Sequence, residues 1–552
     1  MFVIGSSYYS FQGDIKGPKT NALLGNIGYN AGVLFNLSTD LDCKISFSNA
    51  SFFEKNEEKL PGASILSKGN NSRVIISHDG AILKCDEAFF YENKNFIEAY
   101  GNVSLNQGDT LSLNSNYLEY NGNNKIVFAK GDVILNEIES KLFTQSIFFD
   151  RNLQRAYYDK NGLMIRNGTD SIKSKTGTYF ANKKRYDFKI NVNLKSPKYI
   201  IDSEELNYLI EDGKSFFYGP TYIKTKESDI YCEIGFYNTT SDIGHFIKNS
   251  KIDFEEYTIY GDSIFFNKND NYASAVNNIK IIDTINNTIT TGHQAEIFRD
   301  IDSMYVKQDA LVAYHTKTDT TYVHGEVISI VGKKGEQIMN AFYNGKILSG
   351  NLSGKCDSIH FDQSSGIAKL LNLEKKQENN LRTIKRPILW NNKSQITGDS
   401  IYFKFNLKNN AIDSLFVFNN VFIIEKDSLE LGFNQIKGKN LRGNFIDSKL
   451  KEVDIIKNAE SIYFLRNSEN ELIGIDKSKS AKIKILLDEQ SIESFTKMNQ
   501  IDGKVYPEEK FDAKLRILKG FYFREDEIIK EISDLFKGDK KFKKIKINQL
   551  QN

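Results

Sequence analysis

The chain has 552 residues, among them 28 Tyr, 39 Phe, 6 Pro and a single Trp, so it carries enough apolar material for an extensive core. Its 73 basic and 71 acidic residues are interspersed and leave a net charge of +2, which gives no electrostatic footprint for nucleic acid. No segment approaches about 18 consecutive apolar residues, and this excludes a membrane-spanning helix.

Residues 1–43 form a non-repeating N-terminal segment. It begins without a basic stretch, a sustained apolar run and a small-residue cleavage site in that order. A secretion signal is therefore not recognisable in it. From residue 44 onward the chain changes character, because one phrase of six residues returns at a nearly fixed interval.

In this phrase the first position is Cys, Ser, Thr or Gly, the fourth is mostly Ala, Leu, Ile or Gly, and the sixth is Phe, Tyr or Ile. The nine regular copies are CDEAFF (85–90), SNYLEY (115–120), TQSIFF (144–149), SKTGTY (174–179), SEELNY (203–208), CEIGFY (232–237), GDSIFF (261–266), GHQAEI (292–297) and GEVISI (325–330). Their sixth residues lie 30, 29, 30, 29, 29, 29, 31 and 33 residues apart. Self-similarity at such a period predicts stacked structural repeats.

The spacing inside the phrase predicts β-strands. Positions four and six lie two residues apart, so their side chains point to one face of a strand, and position five, such as Phe148 or Asn207, points to the other. A polar turn follows each sixth residue, as in NGNNK at 121–125, and a second corner falls about half a period later, as in YGNVSL at 100–105. Turns at this spacing predict two strands per repeat, one in each of two facing sheets.

Looser copies of the phrase extend the array on both sides. They are SNASFF (48–53), CDSIHF (356–361), GDSIYF (398–403) and GKNLRG (438–443), which brings the count to thirteen candidate repeats. The insertion at 373–394, which contains the only Trp and a charged run, predicts a projecting loop. The whole pattern predicts two similar β modules, 44–340 and a more irregular 341–485, followed by a tail at 486–552.

The tail contains one helical pattern. The stretch EDEIIKEISDLF at 525–536 has acidic residues first and apolar residues at helical spacing, which predicts a short C-terminal helix. The basic end, KGDKKFKKIKINQLQN at 537–552, predicts a solvated and mobile segment.

Three of the four cysteines, Cys85, Cys232 and Cys356, occupy the first position of the phrase. Strands stack at about 4.8 Å, which would separate these cysteines by roughly 20 Å, whereas a disulfide needs Cα atoms within about 7 Å. We therefore expect small buried thiols that are interchangeable with Ser, Thr and Gly. A disulfide between Cys43 and Cys85 remains an alternative, and it requires the first repeat to fold back onto the second.

The sequence offers no catalytic or metal-binding constellation. The six histidines are scattered, no cysteine pair has the spacing of a zinc site, and the signatures of zinc proteases, serine hydrolases and nucleotide-binding loops are missing. The Gly-Asp pairs fit turns between strands better than calcium-binding repeats. We therefore predict no enzyme activity, no metal and no cofactor. A carbohydrate-active β-helix stays open, because its acidic cluster is not recognisable without the strand register.

The ladder of aromatic and aliphatic side chains fits two arrangements. Its side chains can form a dry core between two closed sheets, as in a structural or adhesive β-solenoid. Alternatively, the sheets diverge along one edge and the ladder lines a groove for an apolar ligand, whose burial at about 25 cal/mol per Å² needs no fixed polar contacts. Periodicity alone does not choose between the two.

The copies quoted above also resemble a known family. The run YGNVSLNQGDTLSLNSNYLEYNGNNKIVFAKGDVIL at 100–135, with KCDEAFFY at 84–91 and GDSIFFN at 261–267, resembles the OstA-like family. That family includes the lipopolysaccharide-transport protein LptA and the N-terminal domain of the translocon LptD. The resemblance covers about residues 44–480, and it is greatest to the long OstA-like proteins.

This resemblance implies a twisted, open β-jellyroll (β-taco) in the periplasm, which serves outer-membrane biogenesis by holding lipid A acyl chains between its sheets. It implies lipopolysaccharide and other Lpt-type jellyroll proteins as partners, the latter through edge-strand pairing or end-to-end self-association, and no nucleic acid. Under this interpretation the inward side chains that contact acyl chains are Phe90, Leu118, Tyr120, Ile147, Phe149, Tyr179, Leu206, Tyr208, Tyr237, Ile264, Phe266 and Ile297.

Overall fold

The computed structural model consists of β-strands in two compact units. The first unit is Met1–Phe246 with Leu550–Asn552, and the second is Ile247–Gln549. The structure describes residues 2–4, 7–9, 45–109, 111–166, 168–316, 319–333, 335–372, 386–391, 394–408, 411–429, 431–446, 449–488, 491–539 and 544–546. No helix in these ranges is long and apolar enough to cross a membrane. The all-β fold class is confirmed, and the module boundary near residue 340 stays a prediction.

The strands of the first unit pair antiparallel. Two short 3-10 helices, Glu92–Lys94 and Ala181–Lys183, lie between strands. They are β1 (Phe2–Ile4), β2 (Ser7–Tyr9), β3 (Ser46–Asn49), β4 (Phe52–Lys55), β5 (Ser64–Ser67), β6 (Val74–His78), β7 (Ala81–Cys85), β8 (Glu87–Tyr91), β9 (Phe96–Gln107), β10 (Leu111–Asn121), β11 (Ile126–Asn136), β12 (Ser140–Asp150), β13 (Arg155–Tyr158), β14 (Gly162–Arg166), β15 (Asp170–Ser174), β16 (Thr176–Phe180), β17 (Arg185–Lys195), β18 (Tyr199–Leu209), β19 (Lys214–Thr225) and β20 (Ser228–Asn238). Strand β21 (Ile243–Phe254) contains the boundary between the units.

The second unit continues the same pattern of antiparallel strands. They are β22 (Tyr257–Asn267), β23 (Tyr272–Asp283), β24 (Thr288–Phe298), β25 (Ser303–Lys307), β26 (Leu311–His315), β27 (Thr320–His324), β28 (Val327–Val331), β29 (Ile338–Ser349), β30 (Leu352–Asp362), β31 (Ile367–Leu371), β32 (Ile388–Asn391), β33 (Ser394–Thr397), β34 (Ser400–Phe405), β35 (Ile412–Lys426), β36 (Phe433–Ile446), β37 (Lys449–Arg466), β38 (Leu472–Asp488), β39 (Ser491–Met498) and β40 (Asp502–Tyr506). Its 3-10 helices are Arg299–Ile301, Glu508–Lys510, Ala513–Leu515, Glu525–Glu527 and Ile532–Phe536.

The long strands are bent in the middle. In β9, the backbone of Gly101 and Asn102 is left-handed, with φ of 72° and 42°. The neighbouring β10 accommodates this bend with a register shift between Ser115 and Tyr117. Gly and Asn tolerate positive φ better than other residues, which is why such pairs recur at this place in the repeat. The second corner recognised in the sequence is therefore a bend within a strand.

The bend changes the expected strand arrangement. The sequence predicted two strands per repeat with one strand in each sheet, but a bent strand contributes one half to each of the two sheets. In some repeats the halves are separate strands, such as β13 and β14, which residues 159–161 separate. We call the sheet that carries the six-residue phrase the first sheet, and we call the sheet that faces it in the same unit the second sheet. The side of the unit opposite the bend, where the two sheets are not joined by a bent strand, is called the mouth.

The first position of the phrase lies at the bend, which explains why only small residues occur there. In the first unit, Cys85, Ser115 and Cys232 are buried at this position. In the second unit, a Cβ added to Gly398 would lie 2.2 Å from Val417 Cγ1, so the neighbouring strand leaves room only for glycine. The three described thiols are free and buried, as the spacing predicted.

The core lies between the two sheets of a unit. In the second unit one cluster of buried side chains joins both sheets, with Ile264 from the first sheet and Ile281 from the second. A further copy of the phrase, SAKIKI at 480–485, lies at the predicted end of the second module, and its Ile483 and Ile485 are buried. The inward positions of the phrase therefore build the core throughout the array.

The C-terminal segment differs from the prediction. The expected helix at 525–536 is replaced by two short 3-10 helices with extended backbone between them. Ile529 and Leu535 are both buried in a cluster with Leu311 and Leu348 of the second unit's strands. Residues six apart do not share a face of an α-helix, so the extended link is what brings both side chains to the same surface.

Two further expectations are corrected. The described part of the basic end is docked rather than solvated, because Asp539 Oδ2 lies 2.9 Å from His324 Nε2. Trp390 was expected in a projecting loop, but it lies in β32 and is only 1% exposed. The charged part of that loop, 373–385, lies outside the described residues, and so does Cys43, the alternative disulfide partner of Cys85.

Candidate functional site: the apolar interior between the sheets

The predicted lipid-contact residues lie on the inward face of their strands. In β10, Leu118 and Tyr120 are buried and Glu119 between them is not, as strand alternation requires. The residues of this set that are at most 7% exposed are Phe90, Leu118, Tyr120, Ile147, Phe149, Tyr179, Leu206, Tyr208 and Ile264. Tyr237, Phe266 and Ile297 are half-buried. Their contact with acyl chains stays a prediction.

Position five of the phrase points to the opposite face, but that face is not uniformly solvated. Asn207 lies between two inward residues, Leu206 and Tyr208, and is itself only 8% exposed. Burial raises the pKa of Asp187, which pairs with Asn207 across the ladder. Asn207 therefore faces outward without facing open water.

An arginine closes the mouth of the first unit. Arg151 follows β12 in the first sheet and is 6% exposed. Its Nη1 donates to the His78 carbonyl at 3.3 Å and to Tyr120 Oη at 2.7 Å, and its Nη2 donates to the Asp79 carbonyl at 2.8 Å. His78 and Asp79 lie at the end of β6 in the second sheet. This group, the Arg151 clasp, therefore ties the two sheets together across the mouth.

A reciprocal contact closes the same mouth further along the chain. Arg166 ends β14 in the second sheet and donates to Tyr208 Oη and, at 2.8 Å, to the Ile210 carbonyl in the first sheet. Tyr179 Oη donates to the Glu137 carboxylate across the mouth. Burial raises the pKa of Tyr208, so its phenol stays protonated. In this conformation the interior of the first unit is packed, and hydrogen bonds across the mouth hold its two sheets together.

The mouth of the second unit is less tightly packed. Half-buried side chains from both sheets line it, among them Met304 and Ile330 from the first sheet and Tyr257 from the second. The rings of Tyr314 and Phe361 meet edge to face with their centroids 5.9 Å apart, so the sheets touch there. Beside this contact lies a cavity of about 50 Å³ that these five side chains help to line.

Side-chain amides cap this cavity. Asn286, in the turn before β24, accepts a hydrogen bond of 3.0 Å from Gln363 Nε2 and donates one of 3.4 Å to Gln337 Oε1. Asn286 lies at the end of the second sheet and the two glutamines at the end of the first, so they form an amide clasp across the mouth. Amides are neutral, and opening this clasp therefore leaves no unpaired charge.

The interior offers packing rather than reactive groups. Burial raises the pKa of the Cys85 and Cys232 thiols to about 12, which keeps both protonated and unreactive. Within the described ranges, no three His, Cys, Asp or Glu side chains lie close enough together to hold a metal ion. The chemistry that this arrangement supports is the burial of apolar groups between two sheets.

A separate cleft of about 590 Å³ lies at the bend of the first unit. Ile134, Phe143 and Leu163 line it together with Lys160 and Lys173. These three apolar side chains point to the outer face of their strands, whereas the residues next to them along each strand are buried in the core. The cleft is therefore a feature of the outer surface and does not open into the interior.

Sequence reasoning missed both clasps. Arg151 and Asn286 stand in turns beside strands, where polar residues are expected in every repeat. Arg151 and Asp79 are 72 positions apart, and Asn286 and Gln337 are 51 apart. Contacts at such separations depend on the register between the two sheets, and a repeat period does not fix that register.

The regular first part of the chain matches a known family. The matching family model is described as OstA-like protein and spans residues 44–204. Residues 44–204 are similar to this family, and we call them the OstA-like domain. The family recognised in the sequence is thus confirmed for this part of the chain, and the bent strands continue beyond the OstA-like domain with the same phrase at their inward positions.

A solved structure that matches the chain is LptH from Pseudomonas aeruginosa, described as the LptA-homologous periplasmic component of the conserved lipopolysaccharide transport device. It has 14% sequence identity and a TM-score of 0.21, and the match covers 24% of this chain and 93% of LptH. No curated protein matches the chain. The OstA-like domain therefore rests on the family model.

Proposed function

We propose that the protein binds lipopolysaccharide in the periplasm and carries it as part of a bridge between the inner and outer membranes, with the acyl chains of lipid A held between its sheets. The observation that carries the proposal is the inward apolar face that recurs in every repeat, with a half-buried row at the mouth of the second unit. The OstA-like domain supports it, because the family resemblance implies this cargo. The role is binding and transport, not catalysis.

The closed mouth has to open for cargo to enter, and the energies allow this. Burying a methylene gains roughly 0.8 kcal/mol, so a chain of about ten methylenes gains roughly 8 kcal/mol. Two hydrogen bonds of the Arg151 clasp cross the mouth, those to the His78 and Asp79 carbonyls, and they oppose opening by roughly 1.5–3 kcal/mol each because their donor is charged. One acyl chain therefore gains somewhat more than these two bonds cost, and a lipid with several chains exceeds them clearly. The amide clasp of the second unit opposes opening less.

We propose that the partners besides lipopolysaccharide are other Lpt-type jellyroll proteins or further copies of this chain. Strands β39 and β40 each pair with β38 on one side, and no other described strand covers their second edge. The first four residues of β40 are exposed. An uncovered edge of this kind is able to accept a strand from a neighbouring protein.

A second candidate is a structural β-solenoid whose core stays closed. The packing of the first unit favours it, since Phe149 and Tyr179 are each 2% exposed and Arg151 ties both sheets at the mouth. Such a protein would act as a spacer or adhesive element and would carry no lipid. The two candidates differ in one measurable property, the presence of bound acyl chains.

The test is mass spectrometry of lipids that copurify with the full-length protein extracted without denaturant. We expect bound lipopolysaccharide, and we expect Phe361→Arg at the mouth to lose it while His360→Arg, on the outward face of the same strand, retains it. Circular dichroism checks that both variants keep their sheets. Lipid-free protein, or equal loss in both variants, would favour the closed solenoid.

A further inference from the structure

The C-terminal segment lies on the outer face of the second sheet of the second unit without joining it as a strand. Strand β40 ends at Tyr506, and the described residues after it form only 3-10 helices and irregular backbone. Phe422 and Ile424 belong to the cluster under this segment, whereas Val421 beside them belongs to the inner core. We call the described residues of this segment, 507–539 and 544–546, the strap.

A side-chain amide of the sheet bonds with the main chain of the strap. Gln435 Nε2 donates to the Arg516 carbonyl at 2.7 Å, and Gln435 Oε1 accepts from the Leu518 N–H at 2.8 Å. The amide therefore bonds with the carbonyl of residue i and the N–H of residue i+2 of the strap. Gln435 is 1% exposed, so both bonds are shielded from water.

The same arrangement recurs along the strap. Gln395 Nε2 donates to the Tyr522 carbonyl at 2.8 Å, and its Oε1 accepts from the Arg524 N–H at 2.7 Å. Asn277, at the bend of β23, makes bonds of 2.9 and 3.0 Å with the carbonyl and N–H of Ile545. Three amides thus recognise main-chain groups, which every extended peptide presents whatever its side chains.

A buried lysine adds a fourth contact with the strap backbone. Lys346 Nζ donates to the carbonyls of Leu535 and Lys537 at 2.6 Å each. Lys346 is 2% exposed, and burial lowers its pKa to about 8. Buried amide and ammonium groups on the outer face of a sheet are costly unless they are hydrogen-bonded. This face is therefore complementary to a docked chain rather than to water.

Apolar side chains fix the position of the strap. Phe511 and Leu518 pack in a cluster with Ile462 of the sheet. Ile529 and Leu535 pack in a second cluster on the same outer face. The strap is thus held by a few apolar anchors and by side-chain bonds to its backbone, and no strand pairing has to break when it leaves.

We infer that this outer face is a docking surface for a peptide segment that does not join the sheet, and that the strap is an exchangeable occupant which the same segment of a second copy is able to replace. The hinge supports exchange, because residues 507–510 are all exposed and Pro507 is extended, with φ of −60° and ψ of 147°. Exchange of an identical element between copies keeps every contact and costs little. This inference is independent of the proposed cargo.

The test begins with cleavage of the full-length protein at the hinge. A protease site is inserted between Glu508 and Glu509, the folded protein is cut, and a fluorescent peptide of residues 509–546 is added. We expect the cut segment to stay bound, to be replaced by the labelled peptide in a saturable manner, and to leave the circular dichroism of the sheets unchanged. Release of the segment only together with loss of the sheet signal would overturn the inference.

Substitutions then test the amides. Gln395→Ala combined with Gln435→Ala removes four hydrogen bonds, and we expect the dissociation constant of the labelled peptide to rise at least tenfold. Gln145→Ala, an exposed glutamine of the first unit, should leave it unchanged. Equal affinity in all three proteins, or no binding of the peptide to any of them, would contradict a docking surface that recognises the main chain.

Discussion

Gly398 and Gly261 occupy the same first position of the phrase in the second unit, yet they should respond oppositely to a methyl group. A Cβ at Gly398 would lie 2.2 Å from Val417 Cγ1, whereas the nearest atoms to a Cβ at Gly261 lie at 3.5 Å. Neither glycine has a positive φ. Overpacking costs about 1–3 kcal/mol, so Gly398→Ala should destabilise the second unit by that amount. Gly261→Ala should be neutral or stabilise by up to about 1 kcal/mol.

Urea unfolding followed by the fluorescence of Trp390 measures this difference. Trp390 is the only Trp and is buried in the second unit, so its signal reports on that unit alone. With a denaturant slope of about 3 kcal/mol per M, Gly398→Ala should lower the midpoint by about 0.3–1 M. If Gly261→Ala lowered the midpoint as much as Gly398→Ala, close packing at the bend would not be the reason for small residues there.

Three further predictions concern the clasp, the thiols and the strap. Arg151→Ala removes the donor to two carbonyls at the mouth and should destabilise the first unit by about 3–6 kcal/mol, seen as a lower thermal midpoint. In a Cys43→Ser variant, which removes the fourth cysteine, the thiols of Cys85, Cys232 and Cys356 should not react with a thiol reagent at about pH 8 until the protein unfolds, because burial raises their pKa, and rapid labelling of this folded variant would contradict the prediction. Arg524 holds the pKa of Glu527 at about 2, below its usual 4.5. The stability that Glu527 gives the strap is therefore present above pH 4.5 and is lost as the pH falls towards 2, so hydrogen exchange of the strap should rise in that window before exchange of the sheets does.

The inward face could be predicted because it depends only on local alternation. Once the phrase is recognised as a strand, Leu118 and Tyr120 must share a face, and the structure buries both. The small residues at the first position also follow from the repeat. Their reason, the close approach of a neighbouring strand at a bend, requires coordinates, since the sequence shows Gly398 but not its distance from Val417.

The clasps and the strap could not be predicted because they depend on long-range register. Arg151 reads as an ordinary turn residue, and Gln395 and Gln435 read as solvated outward positions of strands. The acidic and apolar pattern at 525–536 favoured a helix because local spacing is compatible with one. Packing on an outer sheet face overrode that preference, and the same packing buries Gln395 and Gln435.

Photo-crosslinking in cells tests most directly whether acyl chains lie between the sheets. A photoreactive residue is placed at inward Phe361 or Tyr208 and, as controls, at outward His360 or Phe148. We expect lipopolysaccharide to be captured at the inward positions and not at the outward ones. Capture at all four positions, or at none while the protein remains folded, would contradict the proposed cargo.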